Sequence, residues 1–335
     1  MFFFGHLLLV TGSAFENTIT ATSTNHEIIP VHAFLSRVMR VRSQAIMMAA
    51  LSLVLPPLGF VGGGIMGLAT LRNGLVEGAL VSGAAISLAG IAVWFFMGTA
   101  SPVIVFMVVT GLPTLLLAAT LRYTRSLATT VTMAGLGCAI VVIGLHMVID
   151  DPLGWWREQL RAILIQSTSD PISAMDIEAT EKLESLVDAL APMMVSLPLG
   201  VMFGAILTLL LARWWHAILD NPGGFGREFR DLRFDPRLAI VAIIIGGIAI
   251  FVDRTGGISH DFLRICMILY LLQGLAVSHG IVAERGLSAN WLVGLYLLLL
   301  LIPGITASSL VVTGVMDTWF DFRARTISNR RPRKP

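Results

Sequence analysis

The sequence predicts an all-α, polytopic transmembrane helical bundle with about eight hydrophobic segments, two of them broken by Pro and Gly. Three observations carry that prediction. Of the 335 residues, 56% are hydrophobic and 13% charged, where a soluble domain carries about 25% charged residues. The mean hydropathy of +0.82 leaves a water-soluble fold too little polar surface to cover itself. Apolar runs near 20 residues recur along the chain, the length that a hydrocarbon core of roughly 30 Å demands. These runs are continuous rather than alternating, which excludes a porin-like barrel.

Residues 1–32 read as a disordered or misplaced N-terminal extension. "MFFFGHLLLV" is apolar but lacks a basic region before it, and "TGSAFENTITATSTNHEIIP" is polar and Thr-rich. The chain proper then starts near Ala33 to Met39, and a poorly conforming signal segment is the alternative. Residues 33–322 form the transmembrane helical domain. Its uninterrupted spans are 74–97, 101–121, 127–149, 190–212, 237–253 and 261–283. Runs 43–71 and 290–317 are too long for one ordinary span, at roughly 40 Å each if continuous. Pro56-Pro57 and Gly62-Gly63-Gly64 break the first, and Pro303-Gly304 breaks the second.

Orientation follows from the basic residues, nearly all Arg, since Lys182 and Lys334 are the only lysines. They cluster at Arg37, Arg40 and Arg42, at Arg72, at Arg122 and Arg125, from Arg213 to Arg237, at Arg285, and in the tail 323–335. The positive-inside rule places all of these in the cytoplasm. Every pair of clusters must then be separated by an even number of crossings. Runs 43–71 and 290–317 accordingly read as hairpins that return to their starting side. A single long, proline-kinked helix in each run is the alternative. Residues 150–189, with nine acids against three bases, form an outer insertion. Within it Asp170 is an N-cap and Pro171 the first helical residue. Met175, Ala179, Leu183, Leu186 and Leu190 are the apolar stripe of an amphipathic helix.

Few motifs suggest chemistry. "GGGIMG", Gly62 to Gly67, matches a dinucleotide fingerprint, but it lies in a membrane segment without the strand–helix unit that fingerprint needs. Gly63 with Gly67, Gly74 with Gly78, and Ala45 with Ala49 have the small-xxx-small spacing that lets helices approach closely. Ordinary packing is the simpler reading of each. His216 and Asp220 have ligand spacing with no further ligand nearby, and His146 and His279 lie near span ends, so all read as interfacial. Cys138 and Cys266 lie in apolar runs and read as small buried hydrophobes. No cofactor signature, nucleic-acid partner or enzymatic constellation is expected.

Polar groups inside a membrane are expensive and are therefore the better leads. Gln273, Glu77, Asn73 and Asp317 form a candidate polar site within the bundle, with interhelical hydrogen bonding the simpler alternative. Asp253, Arg254, Asp261 and Arg264 bracket a short outer turn. No charge sits at mid-membrane, which argues against a proton-relay pump. The loop 213–237 holds the second candidate, a cytoplasmic interfacial motif. Trp214 and Trp215 are expected at headgroup level. Asn221, Pro222, Gly223 and Gly224 break the helix. Phe225, Phe229 and Leu232 share one face of a short helix, to be buried in the acyl boundary, while Arg227, Arg230 and Arg233 reach phosphates.

Several stretches also carry a family resemblance: "FLSRVMRVRSQAIMMAALSLVLPPL", "LATLRNGLVEGALV", "LARWWHAILDNPGGFGREFRDLR", "LLQGLAV" and "GVMDTWFDFRAR". Together they resemble the YybS-like family of bacterial membrane proteins of unknown function, in its proteobacterial branch, from about Ala33 to Arg325. That family is similar in fold to the substrate-binding S subunits of energy-coupling-factor transporters. The resemblance implies a coupling contact at an A-x-x-x-A pattern on the first helix, where Ala45 and Ala49 stand. It implies a bacterial inner-membrane protein and carries over no vitamin-binding residue. Two functions follow as expectations. One is a transporter-like substrate-binding subunit, with a small-molecule ligand and coupling proteins. The other is a membrane scaffold or assembly factor that meets soluble cytoplasmic partners through its basic face. In both, the lipid bilayer is the first partner.

Overall fold

A computed structural model describes residues 31–55, 58–167, 177–253 and 257–324. Every regular element among them is helical. A short helix α1 (31–38) leads into α2 (Arg42–Val54), α3 (Gly59–Asn73) and α4 (Leu75–Met97). Then come α5 (Ser101–Thr124), α6 (Leu127–Val148), α7 (Pro152–Ser167), α8 (Ile177–Val195) and α9 (Leu197–Asp220). The chain closes with α10 (Gly224–Arg230), α11 (Pro236–Val252), α12 (Ile258–Arg285), α13 (Asn290–Leu301) and α14 (Pro303–Phe320). Helices α4, α5, α6, α9 and α12 are long and apolar enough to cross a membrane. Helix α11 is shorter, at 17 residues or about 25 Å.

Side chains that a soluble protein would bury are exposed on the outside of this bundle. Val76, Ile91, Trp94, Phe95 and Phe96 on α4 are more than 60% exposed, as are Ile140 on α6 and Phe251 on α11. A continuous apolar coat of this extent requires a nonaqueous surround.

Both broken runs are hairpins. Arg42 at the start of α2 pairs with Glu77 in the first turn of α4, at 2.6 Å through both carboxylate oxygens. Since a single residue, Gly74, separates α3 from α4, α2 starts and α3 finishes at the same end of the bundle. Midway, Gly62 lies against Ala49 and Leu53, so the two arms pack side by side. In the second hairpin the chain turns at Ile302, where Thr306 Oγ1 donates back to Leu298 O (3.2 Å). The stem of Arg323 packs on Gly280, about one and a half turns before the end of α12, so α14 returns to the end from which α13 departs. Arginines 40, 42, 72, 122, 125, 213, 227, 230, 233, 285 and 323 gather at this end, which we term the basic end.

Small residues set the helix contacts. Helix α3 is buried almost throughout. A Cβ on Gly63 would meet Thr208 at 2.9 Å, and one on Gly67 would meet Ala212 at 2.9 Å. The glycine run is thus the packing face of α3 against α9. On the other side of the molecule, Gly274 of α12 and Gly314 of α14 bring two backbones together. A Cβ on Gly314 would fall 2.3 Å from Tyr270 O. Lipid offers no hydrophobic drive between helices, so such close packing is what holds them.

Several boundaries differ from those the sequence predicts. The expected span 190–212 is displaced to Leu197–Asp220, because α8 runs on to Val195 and Pro198 opens a fresh helix. Helix α7 is an element the sequence reading lacks. It is joined to α8 by two ion pairs, Arg161–Glu184 (2.7 Å) and Arg157–Asp188 (3.0 Å). The start of the predicted amphipathic helix, with Asp170, Pro171 and Met175, lies outside the described residues, as does Arg254. On α8, Val187 and Ala191 are fully buried while Leu186 is 47% exposed, so the apolar stripe sits one position off the predicted one. Helices α5 and α11 each contain a π-helical turn, Met107–Gly111 and Ile248–Val252. In α5 the wider turn precedes Pro113, whose missing N–H cannot serve an α-helical bond.

Candidate functional site

The basic end contains a buried polar cluster assembled from three parts of the chain. Gln273 of α12 has no exposed surface. Its Oε1 accepts from Phe234 N (3.0 Å) and its Nε2 donates to Gly314 O (2.9 Å). The same Nε2 lies 3.5 Å from Asp317 Oδ2 and 3.4 Å from Thr318 Oγ1. Asp317, also fully buried, receives Arg323 Nη2 at 2.6 Å, and its other oxygen accepts from Phe322 N (3.1 Å). Arg323 reaches on to Arg230 O and to Leu232 O (3.2 Å). Arg233 comes back the other way, donating to Thr318 O and Asp321 Oδ2, both at 2.8 Å. Two guanidinium groups thus fasten the segment 230–234 to the end of the second hairpin. Each buried polar atom in the group has a partner, which such a site requires.

Of the four predicted polar-site residues, Gln273 and Asp317 come together here. The other two do not. Glu77 makes its surface pair with Arg42. Asn73 is exposed at the end of α3, in a shallow groove with His32, Ser36, Arg40 and Arg72. Asn73 ends the first hairpin and Glu77 opens α4 just after it, a region the sequence could not place relative to α12. Thr318, Arg323 and the backbone of Phe234 were missed. The spacing from Asp317 to Arg323 was the one available signal.

The loop motif is also placed differently. Helix α9 continues through Arg213, Trp214, Trp215 and His216 to Asp220, so the Trp pair lies within a helix. Both rings are buried in the protein, at 8% and 7% exposure, and Trp215 covers Gly64 of α3. Asn221 and Pro222 form the break, and Gly223 adopts φ 78°, a left-handed conformation suited to glycine. Phe225, Phe229 and Leu232 are at most 2% exposed. They face the protein core, not an acyl boundary. Phe229 meets His279 edge-on at 5.7 Å, and His279 Nε2 lies 3.0 Å from Tyr296 OH. His279, expected at an interface, is buried. Of the three arginines expected to reach phosphates, Arg227 is exposed, Arg230 half-buried, and Arg233 engaged with α14. The buried apolar face wins because α12 offers a matching surface closer than lipid.

Ala45 and Ala49 are buried at 2% and 0% against the chain's own helices. They are packing residues and present no free face to a coupling partner. At the opposite end, Asp261 is buried beside Arg264 (2.9 Å) and His146 (3.7 Å), and Asp253 accepts from Ser259 (2.6 Å). Glu228 at the basic end pairs with Arg213 (2.7 Å), yet burial pushes its carboxyl above the ordinary range despite that cation.

Five helices long and apolar enough to cross a membrane, further shorter apolar helices, two hairpins opening at one basic end and a polar clasp between α12 and α14 define a polytopic α-helical membrane protein. The chain belongs to the family described as "Predicted membrane protein (DUF2232)", which it matches over residues 44–318. No curated protein and no solved structure matches it.

Proposed function

We propose that the chain is a transporter-like, ligand-binding subunit of a bacterial inner membrane, with its basic end in the cytoplasm. The observation that carries this is the pair of hairpins, α2–α3 and α13–α14, which enter and leave at the same end. Membrane segments broken at depth are tolerated where protein or a cavity covers them, and in transporters they line ligand sites. The orientation follows from the concentration of Arg at one end. The role is binding and movement without bond chemistry. The likeness to YybS-like proteins and to S subunits agrees with it, but any coupling protein would have to use a surface other than Ala45 and Ala49.

The second reading, a scaffold or assembly factor, is favoured by Arg125, Arg227 and Arg237. These are exposed at the basic end, and none makes a side-chain hydrogen bond or ion pair among the described residues. Purification from native membranes, with mass spectrometry of small molecules and co-purifying proteins, separates the two. A retained metabolite supports the ligand-binding subunit. A stoichiometric soluble partner without a metabolite overturns it in favour of the scaffold.

A further inference from the structure

At the basic end, beside the first hairpin, lies a groove of about 470 Å³ that the polar clasp does not use. Its walls are the last turn of α3 (Leu71, Arg72), the end of α5 (Leu121, Arg122, Arg125), and Arg213, His216 and Glu228 from α9 and α10. Four guanidinium groups therefore face one lining carboxylate.

The simplest account of these arginines is helix capping, since helix C-termini attract cations. It accounts for part of the group. Arg122 donates to the carbonyls of Leu71 and Arg72 at the end of α3. Arg213 is held by Glu228, and Arg72 by Asp220 at 3.2 Å. It does not account for Arg125. This residue closes α5 in a left-handed conformation, φ 53°, which costs a non-glycine residue on the order of 1 kcal/mol. Its side chain makes no hydrogen bond or ion pair among the described residues. Counting Asp220 just outside the groove, two positive charges remain unbalanced with His216 neutral. An open volume lined by unbalanced guanidinium groups is where an anion is stabilised. The planar donor fork of Arg matches phosphate, and no Lys is present.

We infer that this groove is a binding site for a phosphate group, contacted by Arg125 and Arg72. The ligand is a phosphate mono- or diester, either the headgroup of an anionic phospholipid or a soluble phosphate compound. The inference does not depend on whether the protein transports or scaffolds.

The test uses the full chain, purified in neutral detergent and in nanodiscs of phosphatidylcholine. Thermal unfolding is followed with added inorganic phosphate against chloride at equal ionic strength. It is repeated in nanodiscs containing phosphatidylglycerol. A ligand that binds the native state raises the melting temperature in a saturable way. Arg125→Gln and Arg72→Gln should each weaken the effect about tenfold, the loss of one charge-assisted contact. Arg237→Gln, outside the groove, should leave it unchanged. Because the Arg125 side chain makes no hydrogen bond or ion pair among the described residues, Arg125→Gln removes none of these there. Stabilisation by inorganic phosphate identifies a soluble ligand, and stabilisation by phosphatidylglycerol alone identifies the headgroup. The inference is overturned by no stabilisation in either arm, by equal loss in Arg237→Gln, or by acetate acting as well as phosphate.

Discussion

Gln273 makes hydrogen bonds to a loop backbone and a helix backbone while lying between two further polar groups, with none of its surface exposed. Replacing it with Leu would leave the Phe234 N–H buried without a partner, a loss of about 1–3 kcal/mol. Asp317 carries more, because its partner Arg323 is itself only 13% exposed. Removing one member of a buried ion pair strands the other charge, so Asp317→Ala should destabilise by about 3–5 kcal/mol. Thermal unfolding in detergent would show both. Arg233 and Arg227 separate the two views of the loop. Arg233 bonds two groups at the end of α14, the Thr318 carbonyl and the Asp321 carboxylate, each at 2.8 Å, a forked geometry Lys cannot reproduce. Arg233→Lys should therefore lower the melting temperature and Arg227→Lys should not. Equal melting of the two variants would restore the lipid-anchor account. Asp321 adds a pH dependence. The Ala324 N–H, and after it Arg233, hold its carboxyl below the ordinary value of 3.8. That contribution is fully present above about pH 4 and is lost as pH falls through the lower folded value. Stability profiles of wild type and Asp321→Asn should converge at the acid end.

At the scale of elements, the glycines divide into those that hold helices together and those that face outward. Gly314 has backbone, not a movable side chain, at 2.3 and 2.9 Å from the position a Cβ would take. Gly314→Ala must therefore push α14 away from α12 and should cost at least 1–3 kcal/mol, about the price of overpacking. Gly294 in α13 has nothing within 4 Å. Gly294→Ala should be neutral or stabilising by up to about 1 kcal/mol, from helix propensity alone. Parallel melts of the two variants measure the contrast, and a loss in both would mean that α13 is packed more tightly than its surroundings show. The sequence marked Gly63 and Gly67 as a packing face through their spacing, and α9 supplies the partners Thr208 and Ala212. It did not mark Gly274 and Gly314, because they lie on different helices and share no local pattern.

For the whole molecule, the arrangement predicts where each end lies. The native cysteines, Cys138 and Cys266, are buried, so single introduced cysteines can be read against a quiet background. Gly223→Cys and Ala324→Cys should be protected from a membrane-impermeant thiol reagent in intact cells. Asp150→Cys should react. Reaction at Ala324→Cys with protection at Gly223→Cys would mean that the second broken run crosses the membrane once, contrary to the hairpin.

Much of this architecture was legible in the sequence because it depends on amounts and periods along the chain. Hydrophobic run length determined that the chain is a helical membrane bundle, since an apolar span must be long enough for the bilayer whatever surrounds it. The grouping of Arg, together with Pro303-Gly304 and the glycines after Pro57, favoured the hairpins and left a single kinked helix as the alternative, and the packing of Gly62 on Ala49 and of Arg323 on Gly280 decided for the hairpins. What only the tertiary structure decided is which faces meet. Phe225, Phe229 and Leu232 have the same helical spacing whether they face lipid or protein, and α12 decided for protein. Asn73, Glu77, Gln273 and Asp317 look alike as polar residues in apolar surroundings. Two were brought into one buried cluster and two were left at the surface, because hydrogen bonds over separations such as 39 and 41 residues exist only once the helices have packed.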